Sequence, residues 1–202
     1  LRKIQNLRKA RMTRKKAIVR SIVIVIIILT SILFGMLFQT IWDAIDRANY
    51  PLKFTDSVEK YCADYGVPEY VVYSVIKVES NFDSGAVSDA GAVGLMQMMP
   101  DTFLWLTSTL KENLNDAMLY DPDTNIKYGT YYLSYLYIRY GSWKEVYAAY
   151  NAGQGKVDEW LTDKDLVDKT GRLEKIPYKE TSNYVKKLEK ANSIYKRLYF
   201  DN

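Results

Sequence analysis

From Ser21 to Trp42 no position is charged, and Ile, Val, Leu and Phe dominate, so no period separates a polar face from an apolar one. A helix that is apolar all round buries every face, and this stretch is long enough to cross a hydrocarbon layer of about 30 Å. After it the pattern changes. Residues 43–53 read as a short polar connector ending near Pro51. Asp56 with Glu59 resembles a capping box that opens a helix stopped at Gly66, and Pro68 opens the next, which carries Tyr70-Val71-Val72-Tyr73-Ser74-Val75-Ile76-Lys77-Val78-Glu79-Ser80. Gly85, Gly91 and Gly94, mixed with Asp83, Ser88 and Asp89, make residues 81–95 a loop that returns past the end of that helix.

Around Pro100 a further helix starts and runs through Leu104, Leu106 and Leu110. Asp121-Pro122-Asp123 marks a turn, after which Ile126, Gly129, Leu133, Leu136, Tyr137 and Tyr140 recur at spacings of three and four until Gly141. Ser142 with Glu145 reads as a second capping box, leading into Ala148 to Gly153. A polar loop then ends at Pro177, and Tyr184, Leu188, Ala191, Tyr195 and Leu198 share one face of a last helix. No alternating β-branched run is long enough to argue for a sheet. The expectation is an all-α domain over residues 54–202, preceded by a single transmembrane helix.

Composition narrows the chemistry. The 202 residues contain no His, which removes imidazole bases and imidazole metal ligands, and one Cys, Cys62, which excludes an intramolecular disulfide or a thiolate zinc cluster. Neither a metal nor a cofactor is expected. The formal charge of +4 is uneven: residues 1–20 hold nine of the 28 Lys and Arg and no acid, leaving 19 basic against 24 acidic residues, a net of −5, from residue 21 onward. The basic excess is a tail, so the domain is not expected to bind nucleic acid.

The tail also gives the apolar stretch a direction. Arg11, Arg14, Lys15, Lys16 and Arg20 belong on the cytoplasmic side, Trp42 at the outer interface, and the domain outside. A cleaved signal peptide is the alternative, but the apolar stretch is long for one, and Ala44 and Ala48 stand beside Asp43, Asp46 and Arg47 rather than in a small-x-small site. Met12 would serve as a start as well as Leu1. An extended connector of about ten residues reaches about 35 Å, which would keep the domain close to the membrane.

Glu79 is the residue with the clearest chemical promise. It ends an apolar helical run, where the negative end of the helix dipole and apolar neighbours both favour the neutral carboxyl and raise its pKa. A general acid near neutral pH needs that property.

Glu79-Ser80, Ser88, Gly91-Ala92-Val93-Gly94-Leu95-Met96-Gln97-Met98-Met99-Pro100, Asp121-Pro122 with Asn125-Ile126 and Gly129, and Ala148-Ala149-Tyr150-Asn151-Ala152-Gly153 follow one another in an order that resembles the soluble-type lytic transglycosylases, glycoside hydrolase family 23. The resemblance covers about residues 54–200 and implies a lysozyme-like helical domain acting on peptidoglycan glycan strands. It implies that Glu79 is the catalytic acid and base, and that Ser88 helps position substrate or carboxyl group. Gln97 and Met99 would line the sugar cleft. Tyr150 and Asn151 would face the carboxyl group from the opposite wall, and Glu180 and Tyr184 would supply a last motif. Read without the resemblance, Met96 is a core residue, and Glu180 and Tyr184 are a helix-start charge and a core aromatic. The position after Thr181, often Arg in the family, is Ser182 here, which touches substrate range more than catalysis.

The implied reaction closes a 1,6-anhydro ring on N-acetylmuramic acid without consuming water, in remodelling of the wall or local opening for an envelope-spanning machine. A hydrolysing muramidase of similar fold, with Asp83 or Asp89 positioning a water, and a glycan-binding scaffold without turnover are the alternatives.

Overall fold

The computed structural model describes residues 2–201, which divide into two compact units meeting at Asn49 and Tyr50. The first is a single helix, α1 (Arg2–Asn49), within which Arg14–Asn49 is long and apolar enough to cross a membrane. The uncharged stretch 21–42 alone is about 33 Å of helix at a rise of 1.5 Å per residue. Three of its four hydroxyls are absorbed by the backbone: Thr30 and Ser31 donate to the Ile27 carbonyl at 3.0 and 2.8 Å, and Thr40 to Met36 at 2.9 Å. Such return bonds remove the cost of a polar group in an apolar medium. The polar segment expected as an extended connector differs: residues 43–49 stay helical, and Gln39 Nε2 donates to Asp43 Oδ1 at 3.0 Å, one turn ahead.

The second unit contains α2 (Thr55–Tyr65), α3 (Glu69–Glu79), α4 (Pro100–Thr109), a 3-10 turn (Asp116–Tyr120), α5 (Pro122–Tyr140), α6 (Trp143–Ala152), α7 (Gln154–Thr162), α8 (Lys179–Tyr195) and a closing π turn (Lys196–Phe200). Among the described residues β structure is limited to isolated bridges. Six consecutive residues of α3, Val71 to Ile76, are buried, so α3 is enclosed on every side, and the Ser74 hydroxyl is accommodated by donating to the Tyr70 carbonyl at 2.6 Å. It packs against α8, which also meets α6; α5 bridges α2 and α6. The apolar face expected on the last helix is the one buried, from Tyr184 to Leu198.

Neither expected capping box forms. The first helix of the domain is capped by Phe54 in a left-handed conformation, and Asp56 sits inside its first turn without a side-chain cap bond. Ser142 does precede α6, but Glu145 is 1% exposed and its Oε1 accepts from the Leu173 amide at 2.9 Å, holding the 163–178 segment instead of its own helix start. Burial there competes with local capping and wins. The segment read as one polar loop contains α7, whose Val157 and Trp160 are buried. Leu110 is the C-cap of α4 rather than part of it.

Candidate active site

Glu79 is the last residue of α3, partly exposed where the helix emerges from the core. Ser80 fixes this end from both sides, its amide donating to Ile76 and its hydroxyl to Leu95 at 2.8 Å. Asn81 and Phe82 then take positive φ values of 52° and 66° and turn the chain away. Tyr184 on α8 donates its phenolic hydrogen to Glu79 Oε1. Burial pushes the Glu79 carboxyl up to about 7, and the Tyr184 bond, which favours the charged form, works against it. The group therefore titrates in the neutral range rather than the ordinary carboxylate range.

The loop facing this carboxyl group is tied by buried polar contacts. Val93 and Met98 exchange two backbone bonds of 3.0 Å, and the Gly94 amide donates to Ala86 at 2.8 Å. Asn125, fully buried on α5, accepts from the Met96 amide at 2.8 Å and donates to the Val93 and Leu119 carbonyls at 2.9 Å each. Gly94 has φ +80°, and a Cβ on it would stand 2.3 Å from Asn125 Nδ2 and 2.6 Å from the Leu119 carbonyl oxygen, so a side chain is excluded by both conformation and space. Gln97 also takes a positive φ, 48°, and its amide group donates to Ala86 and Gly94 at 3.0 Å each.

Gln97, Met98, Met99, Thr102, Tyr132, Tyr150, Asn151, Ala152 and Gly153 surround an open cavity of about 200 Å³ between this loop and the end of α6. Ala148 and Ala149, fully buried, carry α6 up to it. The Tyr150 hydroxyl donates to the Met96 carbonyl at 2.8 Å, joining α6 to the loop, and burial followed by the nearby Glu79 charge raises its pKa well above the ordinary phenol value. Tyr150 thus belongs both to the cavity wall and to the surroundings of Glu79.

The residues singled out from sequence are distributed as follows. Gln97, Met99, Tyr150 and Asn151 line the cavity, Asn151 being fixed by the Thr181 hydroxyl at 2.7 Å. Tyr184 is bonded to Glu79 directly, and neither of the two is among the residues lining the cavity. Ser88 sits on the loop, where its Oγ accepts from the Ala92 amide at 3.0 Å, and it does not line the cavity. Glu180 is exposed in the first turn of α8 and also lies outside the lining. Ser182, half-buried, donates its amide to Tyr178 at 2.8 Å. Asp83 is exposed and accepts from the Gly85 amide at 2.9 Å, and Asp89 is exposed. Tyr132, Thr102 and Thr181 are additions. Tyr132 and Thr102 lie on helices whose apolar pattern reads as ordinary packing, and only the fold brings them to the cavity.

Residues 56–170 match the model of the family described as Transglycosylase SLT domain. The chain belongs to this family. It is 34% identical over 164 residues to the soluble lytic murein transglycosylase of Escherichia coli, an alignment covering 77% of this chain and 25% of that protein. Against the membrane-bound lytic murein transglycosylase C of Haemophilus ducreyi it is 29% identical over 167 residues, covering 71% of this chain and 45% of the relative. The crystal structure of the 70 kDa soluble lytic transglycosylase from Escherichia coli superposes with a TM-score of 0.69 at 32% identity, over 75% of this chain and 25% of that one. This SLT-domain chain thus spans about a quarter of the length of its soluble relatives, and its second unit has their helical fold.

Proposed function

We propose that this SLT-domain chain is a peptidoglycan lytic transglycosylase that cleaves the β-1,4 bond between N-acetylmuramic acid and N-acetylglucosamine. The observation that carries the reading is the Glu79 carboxyl group, poised at about 7, held by Tyr184 and close enough to the cavity-lining Tyr150 for its charge to act on that phenol. Protonated Glu79 gives its proton to the glycosidic oxygen as the bond from that oxygen to the anomeric carbon breaks. The substrate's own acetamido group stabilises the positive charge at the anomeric carbon. Ionised Glu79 then takes the proton of the muramoyl C6 hydroxyl, whose oxygen bonds to the anomeric carbon and closes the 1,6-anhydro ring. Protons balance, and no water is consumed.

Ordinary glycoside hydrolysis employs a second carboxylate, about 5 to 9.5 Å from the first. Asp83 and Asp89 are exposed, and Asp83 is engaged by its own turn, which favours the one-carboxyl reaction over a muramidase. Gln97, Met99, Tyr150 and Asn151 would hold the sugars, Ser88 and Glu180 would act from the margins, and Tyr184 would tune Glu79. Residues 21–42 would anchor the enzyme in the cell membrane with the N-terminus cytoplasmic and the domain on the outer face, where it would remodel nearby wall or open it for envelope-spanning machinery. The relatives named membrane-bound and the apolar α1 support the anchoring.

The test is the mass of muropeptides released from peptidoglycan by the purified chain. Products one water lighter, resistant to borohydride and absent with Glu79→Gln, are expected. Hydrated, reducible ends would make it a muramidase, and glycan binding without release a scaffold.

A further inference from the structure

Thr102 lines the cavity from α4, and Trp105 stands three residues on, about 4.5 Å further along the same helix face. Trp105 is 39% exposed, although large aromatics are usually more deeply buried. Its ring is held edge-on by Tyr135 at 5.1 Å and by Tyr132 at 6.3 Å between centroids, and Tyr132 in turn lies 5.4 Å from Tyr150. Tyr132 and Tyr150 both line the cavity. An aromatic row therefore runs from beside Glu79, through the cavity wall, to an exposed indole outside it. Among the described residues the indole N–H has no hydrogen-bond partner, so Trp105 offers an apolar ring and an unused donor together.

We propose that Trp105 is the platform of an additional sugar subsite, one that takes a pyranose ring of the same glycan strand beyond those held in the cavity. This rests on the reading of the cavity as a glycan cleft. A pyranose offers an apolar face of C–H groups to the indole and acceptor oxygens to its N–H, and the spacing of Thr102 and Trp105 is comparable to the length of one sugar unit. Continuity with the cavity through Tyr132 makes the occupant the next ring of the strand rather than a separate molecule. Rigid, partly exposed aromatics supply contact area with few rotamers to freeze.

Binding of peptide-free N-acetylglucosamine oligomers of increasing length to the full chain in detergent tests this without relying on turnover. With Glu79→Gln as background, affinity should rise with length, and adding Trp105→Ala should weaken the long oligomers about tenfold more than the short ones, with Trp105→Phe recovering much of the loss. Equal losses at every length, or no loss, would overturn the subsite. If the parent chain releases no anhydro products yet shows this length dependence, the proposed reaction fails and the subsite stands.

Discussion

The phenol of Tyr184 on α8 donates to Oε1 of Glu79 at the end of α3, joining two helices across 105 positions of sequence. Burial favours the neutral acid and this bond favours the anion, so the proton affinity of Glu79 is a balance set by tertiary structure.

Removing the bond tips the balance towards the acid. In Tyr184→Phe the Glu79 pKa should rise above its value of about 7, by about one unit if the bond favours the anion by about 1.4 kcal/mol. The protonated form starts the reaction, so the pH at which kcat/KM falls on the alkaline side should move up by the same amount. A pH profile checks this, and an unmoved or lowered limb would contradict it.

Glu79 also makes stability depend on pH, with the opposite sign from a paired carboxylate. Its pKa is about 7 folded against an ordinary 4.5, so the native state binds more protons between these values and stability falls as pH rises through that window. Above it the cost is about 3 kcal/mol. Glu79→Gln, which can still accept from Tyr184, should be the more stable protein above pH 7, by up to that amount, while losing about 100-fold to 10,000-fold in activity. Thermal unfolding of both chains from about pH 4.5 to pH 8 would reveal it as a widening gap that then levels off.

Asn125 satisfies one amide and two carbonyls inside the core. Asn125→Ala strands all three and should cost about 3 kcal/mol, or roughly 10 °C in Tm. Activity should fall with it, because Met96 and Val93 belong to the loop that carries Gln97. Calorimetry alongside the glycan assay would detect both losses.

Gly94 and Gly91 separate two causes of intolerance. Both have positive φ, +80° and +87°, but a Cβ on Gly91 meets nothing within 4 Å, whereas one on Gly94 overlaps Asn125 and the Leu119 carbonyl. Gly91→Ala should cost about 1–2 kcal/mol of backbone strain, and Gly94→Ala at least about 2 kcal/mol more. Denaturant midpoints for the two variants would measure the difference.

The helices that position the site are legible where apolar spacing and stop signals agree, as in α5 between Asp121 and Gly141. The raised pKa of Glu79 was also accessible, since it follows from an apolar run ending in a carboxylate. What the sequence conceals is where a polar residue near a helix start spends its hydrogen bonds. Glu145 has the spacing of a cap and serves Leu173 instead. Val157 and Trp160 sit among polar neighbours, so α7 shows too weak a stripe to be read. Tyr132 and Thr102 reach the cavity, and Thr181 reaches Asn151 on its wall, through packing between helices distant in sequence, which no local pattern encodes. Ser88 and Glu180 show the converse: motif position singles them out, yet neither lines the cavity nor bonds Glu79, whereas Tyr184, also outside the lining, does bond it.

The positive φ values at Asn81, Phe82 and Gln97 cost conformational energy that only the assembled domain can offset. Glu79 acquires its proton affinity from the same assembly. A chain that is still emerging, partly unfolded or proteolytically nicked carries an ordinary, solvated carboxylate and a slack loop, so it has no acid to offer at neutral pH. For a protein proposed to cut the polymer that keeps its own cell intact, correct folding then acts as the safety catch.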